Sequence, residues 1–352
     1  MTHLLEHTLA SLTTWATAQG ESKFRAKQIA RWIYQSRVEE FEEMTNLSQE
    51  FRQTLADEFS LWTTEIVKHY CADDGTEKLL LRFSDGNEIE CVLLRSGLRR
   101  TICISTQVGC AMGCVFCASG LDGVVRNLTT GEIIEQMLRL QRLLPSTERL
   151  SHIVVMGMGE PLANLDNLLP ALEMASNPAG LGISSRRITI STVGLPRGIN
   201  RLAETGEQFS LAISLHAADD TMRNELVPVN KSVGISALLD AADDYFAKTH
   251  RRLTFEYVLL GDLNDTPEQA RKLVRILSDR AAMLNVIPYN RVPGLPYKRP
   301  EPRTLRSFLQ ILMDGGINVQ VRELKGDAIN AACGQLRRQS LREGNSPITS
   351  LT

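Results

Sequence analysis

Apolar positions along the chain fall into three regimes. Over residues 1–60 they recur near the helical period: Phe24, Ile29, Trp32 and Ile33, with Arg25, Lys27, Arg31 and Arg37 between them. This predicts an amphipathic helical unit with a solvated basic face. Residues 61–96 change to the two-residue period of strands. Glu77–Asp85 and Asn87–Leu94 flank Asp85-Gly86, a hairpin signal. Alternation sets Ile89, Cys91 and Leu93 on one face and Glu88 and Glu90 on the other, and allows Glu90 to be a solvent-facing hairpin glutamate.

From residue 97 apolar strand-like runs repeat at 101–105, 152–156, 187–192, 209–215, 253–260, 284–288 and 317–321. Helix-like stretches at 130–144, 165–176, 235–248, 266–281 and 301–314 lie between most of them. Thr129 with Glu132, and Thr266 with Pro267 and Gln269, fit capping boxes. Such alternation predicts an α/β fold on a parallel sheet, flat or curled into a barrel. The expected organisation is a helical accessory domain at 1–60, a β-hairpin extension at 61–96, a core at 97–336 and a polar tail at 337–352. Chemistry in such cores gathers at the C-terminal ends of the strands.

Composition narrows the function classes. Apolar residues make up 43% of the 352 and charged residues 23%, an ordinary globular mix. No run approaches the ~18–20 apolar residues of a membrane helix. Met1 to Gly20 lacks the basic lead of an export signal, so a cytoplasmic setting is expected. The formal net charge is −2, which argues against charge-driven, non-specific nucleic-acid binding and leaves room for a local basic surface.

Seven cysteines are present, and three of them form Cys110-x3-Cys114-x2-Cys117, directly after the first core strand. In a reducing compartment such clustering points to a metal centre or catalysis rather than disulfides. Structural zinc takes four ligands, and a cubane iron–sulfur cluster usually takes four cysteines. Three therefore leave one iron open to a substrate or cofactor. A zinc knuckle completed by Cys103 or a distant histidine is the alternative. After the second core strand comes Met156-Gly157-Met158-Gly159-Glu160-Pro161-Leu162, glycines at a strand end beside a carboxylate that could hold an ammonium. A further cysteine, Cys333, stands in a Gly- and Ala-rich stretch at 326–336 without apolar periodicity.

The Cys-x3-Cys-x2-Cys spacing resembles the signature of radical S-adenosylmethionine (SAM) enzymes. Together with GMGEPL at 157–162, ISTVG at 190–194, SLHA at 214–217, NVIPYN at 285–290 and DAINAACGQL at 327–336, it resembles the RlmN/Cfr family of radical SAM RNA adenosine methyltransferases. KFRAKQIARWIY at 23–34 and FEEMTNLSQEFR at 41–52 are similar to the family's leading domain. The resemblance implies a partial (βα)6-type radical SAM barrel. It also implies a [4Fe–4S] cluster on Cys110, Cys114 and Cys117, with SAM held by Gly159, Glu160, Ser191, Ser214, Leu215, His216 and Asn290. By the same resemblance Cys333 takes a methyl group from one SAM, and the deoxyadenosyl radical from a second removes a hydrogen from it. The methylene radical then adds to adenine as a protein–RNA thioether. Glu90 matches the proton acceptor. Cys103 matches the cysteine that attacks Cys333 sulfur, releases the product and leaves a Cys103–Cys333 disulfide to be reduced. Implied partners are 23S rRNA, tRNA and an electron donor of the flavodoxin type, with no membrane.

Pro161 resembles the RlmN branch, which methylates C2 of adenine, rather than the C8-directed Cfr branch. Val193 departs from the serine common in the corresponding RlmN motif. Arg99-Arg100, Arg186-Arg187, Arg251-Arg252 and Arg337-Arg338 are candidate phosphate contacts. Cys71 and Cys91 match no motif and read as structural. A non-catalytic, metal-binding RNA module is the reading from another function class.

Overall fold

The structure, a computed structural model, describes residues 1–322 and 325–336. Ten strands form one sheet: β1 (Thr64–Cys71), β2 (Glu77–Phe83), β3 (Glu88–Ser96), β4 (Arg99–Cys103), β5 (His152–Val155), β6 (Ile188–Thr192), β7 (Ser210–Ser214), β8 (Leu253–Leu259), β9 (Ala282–Pro288) and β10 (Val319–Val321). They lie side by side in chain order. Pairing is antiparallel from β1 to β4 and parallel from β4 to β10. The seven apolar runs of the core are the seven parallel strands, and the fold is the mixed α/β fold expected.

The predicted helices form, at Thr130–Arg142, Leu165–Ser176, Ile235–Thr249, Pro267–Leu277 and Pro302–Asp314. Pro196–Glu204 and Asp220–Leu226 are additional helices. The first opens on Pro196 and carries Gly198, which hides its helical period. Thr129 and Glu132 make a reciprocal capping box. At Thr266 only the forward half forms, and the Gln269 side-chain NH2 donates to Asp219.

The hairpin extension does not stand apart. β3 pairs with β4, so the hairpin continues the core sheet. Register places Ile89, Cys91 and Leu93 in the main apolar core, opposite Leu81, Leu79 and Glu77. The other face is not solvated as alternation allowed: Glu88 and Glu90 are 2% and 1% exposed. Each has a cation, Arg82 for Glu88 and Lys78 for Glu90, which makes burial of the carboxylates tolerable.

In the N-terminal region Ile29 and Ile33 are buried as expected, whereas Phe24 is exposed. Arg37 is no solvated cation. Its guanidinium donates to the Leu144 carbonyl, just past the end of Thr130–Arg142. That helix also carries Glu135, fully buried, which accepts from the backbone N–H and hydroxyl groups of Thr63 and Thr64. One helix is thereby tied both to the N-terminal unit and to the start of β1.

Candidate active site

The cysteine loop leaves the C-terminal side of β4 and is shaped by two glycines with left-handed backbone. Gly109 has φ +80°, and a Cβ there would come within 2.0 Å of the Gly123 carbonyl oxygen. A small apolar cluster of Phe116, Val193, Leu226, Val227, Leu260 and Tyr289 seats the loop. Cys110, Cys114 and Cys117 all line one cavity beyond the strand ends, and Glu160, Ser191, Ser214, His216, Asn290 and Cys333 line it with them. Burial pushes the thiol of Cys110 up to about 12, and those of Cys114 and Cys117 also upward. Three half-buried thiols that line one cavity and resist ionisation on their own suit a cationic metal centre, which supplies the missing positive charge. The residues present therefore fit an iron–sulfur cluster.

Glu160 is 2% exposed, and burial raises its carboxyl. Its two oxygens accept from the N–H groups of Leu162 and Val193, at 3.0 and 2.9 Å. Val193 thus contributes a backbone group that any residue offers, which accounts for the departure from serine. The glycines of this segment serve the chain as well as the cavity. A Cβ on Gly157 would strike Ser105 and Ile104, and one on Gly159 would strike Gln107.

His216 sits in left-handed backbone, φ +58°, with its ring edge-on to Phe116 at 4.8 Å. Its Nδ1 accepts from the Val258 N–H, so it is both a satisfied core histidine and a cavity wall. Burial lowers it to about 3, so the folded ring stays neutral while the unfolded ring protonates below its ordinary 6.5. The corresponding stability is present above pH 6.5 and lost as pH falls toward 3. Going from pH 6.5 to 5 is expected to cost about 2 kcal/mol through this residue. His216→Asn, which tolerates left-handed backbone and keeps an acceptor, should flatten that part of the pH dependence in denaturant titrations.

Leu215 is not brought to the cavity wall; its side chain is in the main core. Cys103 lines an adjoining chamber with Met156, Asn290, Arg322, Lys325 and Cys333. Cys333 belongs to both chambers. Burial pushes Cys103 up to about 12 and Cys333 upward, with Arg322 opposing the shift in each. Both are free thiols; the disulfide expected at the end of turnover is not formed in the structure. Glu90 lines neither chamber.

The segment carrying Cys333 is clasped to the cysteine loop. Ala118 N donates to Gly334 O at 2.8 Å, Ser119 Oγ to Leu336 O at 2.7 Å, and Asn290 Nδ2 to Cys333 O at 3.2 Å.

Residues 2–61 match the ribosomal RNA large subunit methyltransferase N-terminal domain, and residues 104–274 match the radical SAM superfamily. A probable dual-specificity RNA methyltransferase RlmN of Rhodopirellula baltica is 59% identical over 336 residues, 96% of this chain and 91% of that protein. One of Clostridium perfringens is 45% identical, covering 97% of this chain and 98% of the relative. A radical SAM methyltransferase from Sphaerobacter thermophilus superimposes with a TM-score of 0.93 at 41% identity, over 96% of this chain and 99% of that one. The chain belongs to the RlmN family of radical SAM RNA methyltransferases. It is a SAM-dependent enzyme, and membership brings with it a [4Fe–4S] cluster and SAM.

Several residues of this RlmN-family site escaped sequence reading. Arg223 is fully buried and donates to the carbonyls of Val193, Ser214 and Leu215, tying together the loops after β6 and β7 at the cavity rim. Arg322 and Lys325 give the second chamber its positive charge. None stands in a pattern that separates it from surface arginines and lysines. Three candidate phosphate-binding pairs lie at the end of the sheet opposite the two chambers. Arg99-Arg100, Arg186-Arg187 and Arg251-Arg252 precede or begin β4, β6 and β8, whereas both chambers lie toward the strands' C-terminal ends. Arg100 is paired with Glu148, and Arg251 donates to Ser210. Arg337-Arg338 and the polar tail lie outside the described residues. Cys91 is buried in the core as expected, but Cys71 is exposed beside His69 and Glu77.

Proposed function

We propose that this enzyme methylates C2 of an adenosine in 23S rRNA, in the peptidyl-transferase region, and of the tRNA adenosine 3′ of the anticodon. The relatives' names speak of dual-specificity RNA methyltransferases, and Pro161 favours C2 over C8. The observation that carries the reading is the placement of Cys333 on the wall shared by two chambers, one with the three-cysteine loop and one with Cys103.

In this reading Cys110, Cys114 and Cys117 hold the cluster, and Glu160, Ser191, Ser214, His216 and Asn290 orient SAM, with Gly159 contributing backbone; Leu215, away from the cavity wall, acts only through its place in the core beside His216. Bound, cluster and SAM supply a hydrogen-abstracting radical, with two SAM molecules used per turnover. The chain's own residues do the rest. Cys333, its thiol proton lost, would displace the methyl group from the SAM sulfonium, whose S–CH3 bond breaks to leave a neutral thioether, and the Cys333 sulfur carries that methyl, a task suited to a thiolate. The same sulfur then holds the carbon that is joined to adenine. Glu90 takes the proton from the ring carbon, and the odd electron that radical addition leaves in the ring would return to the oxidised cluster. Cys103 sulfur attacks Cys333 sulfur; the S–S bond forms, the S–C bond breaks with its electron pair on carbon, and that carbon takes a proton to become the product methyl. Reduction of the disulfide by an external two-electron donor restores both thiols. A flavodoxin-type donor serves the radical step. The reading places the enzyme in the cytoplasm, where its RNA substrates are; no helix among the described residues is long and apolar enough to cross a membrane.

RNA bases that undergo ring chemistry must leave their stack, and the chamber lined by Cys103 and Cys333 suits a splayed base. Peptide mass spectrometry of the holoprotein incubated with SAM tests the carrier role. The peptide containing Cys333 is expected to gain one methyl group, and Cys333→Ser to remove that gain. A methyl group on any other cysteine would contradict the assignment.

A further inference from the structure

The face of the hairpin that carries Glu90 also carries a lysine that the chemistry above does not use. β2 and β3 are in register with Lys78 opposite Val92 and Leu80 opposite Glu90, so Lys78 and Glu90 are diagonal neighbours on one face. Val92 in turn lies opposite Cys103 on β4. The same face therefore presents Lys78, Glu90 and Cys103. Lys78 Nζ is 2.7 Å from Glu90 Oε1, and both side chains are 1% exposed.

Lys78 has a second commitment. Its Nζ donates to the carbonyl oxygen of Asn330 at 3.2 Å, three residues before Cys333, and it stands over the Tyr70 ring at 5.0 Å. Neighbouring ties hold the same segment to the hairpin. Gly326 N donates to Asp74 Oδ2 at 2.9 Å, and Lys325 Nζ to the Arg95 carbonyl at 3.0 Å. One ammonium therefore joins the Glu90 carboxylate to the backbone that delivers Cys333.

A buried ion pair is weak support for a fold, since apolar residues of similar volume often serve as well or better. What an apolar pair cannot do is fix a carboxylate's direction and hold a neighbouring carbonyl at a set distance from it. Proton transfer demands that kind of placement. We propose that Lys78 is a positioning residue of this reaction: it orients Glu90 and, through Asn330, sets Glu90 against the Cys333 segment. The inference rests on Glu90 as the acceptor of the adenine proton. In that step the ring C–H bond breaks, the proton moves to a Glu90 oxygen, the bonding pair stays in the ring, and the odd electron left by radical addition would pass to a one-electron acceptor, the oxidised iron–sulfur cluster. A misdirected carboxylate slows the step and leaves RNA attached to Cys333.

The test is the partition of RNA between covalent adduct and free methylated product, in single-turnover reactions of the holoenzyme with tRNA, read on denaturing gels. Lys78→Gln and Glu90→Gln are each expected to raise the adduct-to-product ratio by about tenfold or more. Lys78→Arg should return it toward that of the unchanged enzyme, and Lys78→Gln with Glu90→Gln should match Glu90→Gln alone. A purely structural lysine would lower adduct and product together and leave the ratio unmoved, which would overturn the proposal. If Glu90→Gln raises the ratio and Lys78→Gln does not, Lys78 does not act through Glu90, while the base assignment stands. If Glu90→Gln leaves the ratio unmoved, the base assignment falls and the proposal with it. Should Lys78→Gln not fold, Lys78→Met, which keeps the unbranched stem that packs there and loses the ammonium, takes its place in the same comparison. A ratio equal to that of the unchanged enzyme would overturn the proposal.

Discussion

Cys333→Ala is expected to lower RNA methylation by at least about 10⁴-fold, because it removes the nucleophile on which the route depends. Among the described residues Cys333 is the one cysteine that lines both chambers. Cys103 faces only the second and Cys110, Cys114 and Cys117 only the first, so none is placed to stand in. The loss belongs to chemistry rather than folding. The segment is held by backbone contacts, Ala118 N to Gly334 O and Asn290 Nδ2 to Cys333 O, which alanine leaves intact. Alanine already occupies the two preceding positions, Ala331 and Ala332. Thermal melting unchanged within a few degrees, together with lost methylation, is the expected pair of results. Substantial methylation by this variant would show that the methyl group reaches RNA without a cysteine carrier.

Cys103→Ala is expected to convert a catalytic cycle into a dead end. The methyl carrier and the first chamber are untouched, so RNA should still be joined to Cys333. Release needs a second sulfur in reach of the first, and Cys103 lines the same chamber as Cys333. Protein from cells expressing this variant should carry covalently bound RNA that survives denaturation and is lost on nuclease digestion to a single modified nucleotide. With Cys103 present, the adduct should be a minor species. Freely released methylated RNA from the variant, at the rate of the unchanged enzyme, would remove Cys103 from the route. Burial holds the Cys103 thiol up at about 12, with Arg322 opposing, so its attack calls on that arginine or on a proton acceptor to reach the thiolate.

What sequence disclosed was periodic or densely spaced. The parallel strands were legible because each is a short apolar run between helical stretches, and the three-cysteine loop because metal ligation demands close spacing. Glycine positions were legible in kind but not in cause. Gly157 and Gly159 are demanded first by Ser105 and Gln107 across the adjoining strand. The hairpin misled because alternation separates two faces without saying what covers the second. Here the segment that carries Cys333 helps to cover it, about 240 residues later in the chain. Arg223, Arg322 and Lys78 were invisible for a related reason. Each is defined by carbonyls, thiols or a carboxylate brought to it by tertiary packing. The arginine pairs were conspicuous in sequence, yet the three among the described residues sit where strands begin, away from both chambers.

The central claim is most directly tested by nucleoside mass spectrometry of purified 23S rRNA and tRNA. Both would come from cells lacking their own enzyme of this family, with and without this protein. The account predicts 2-methyladenosine in both RNA fractions only when the protein is present. Its absence from both, in a protein with an intact iron–sulfur chromophore and measurable SAM cleavage, would contradict the substrate assignment, and 8-methyladenosine in its place would contradict the C2 assignment.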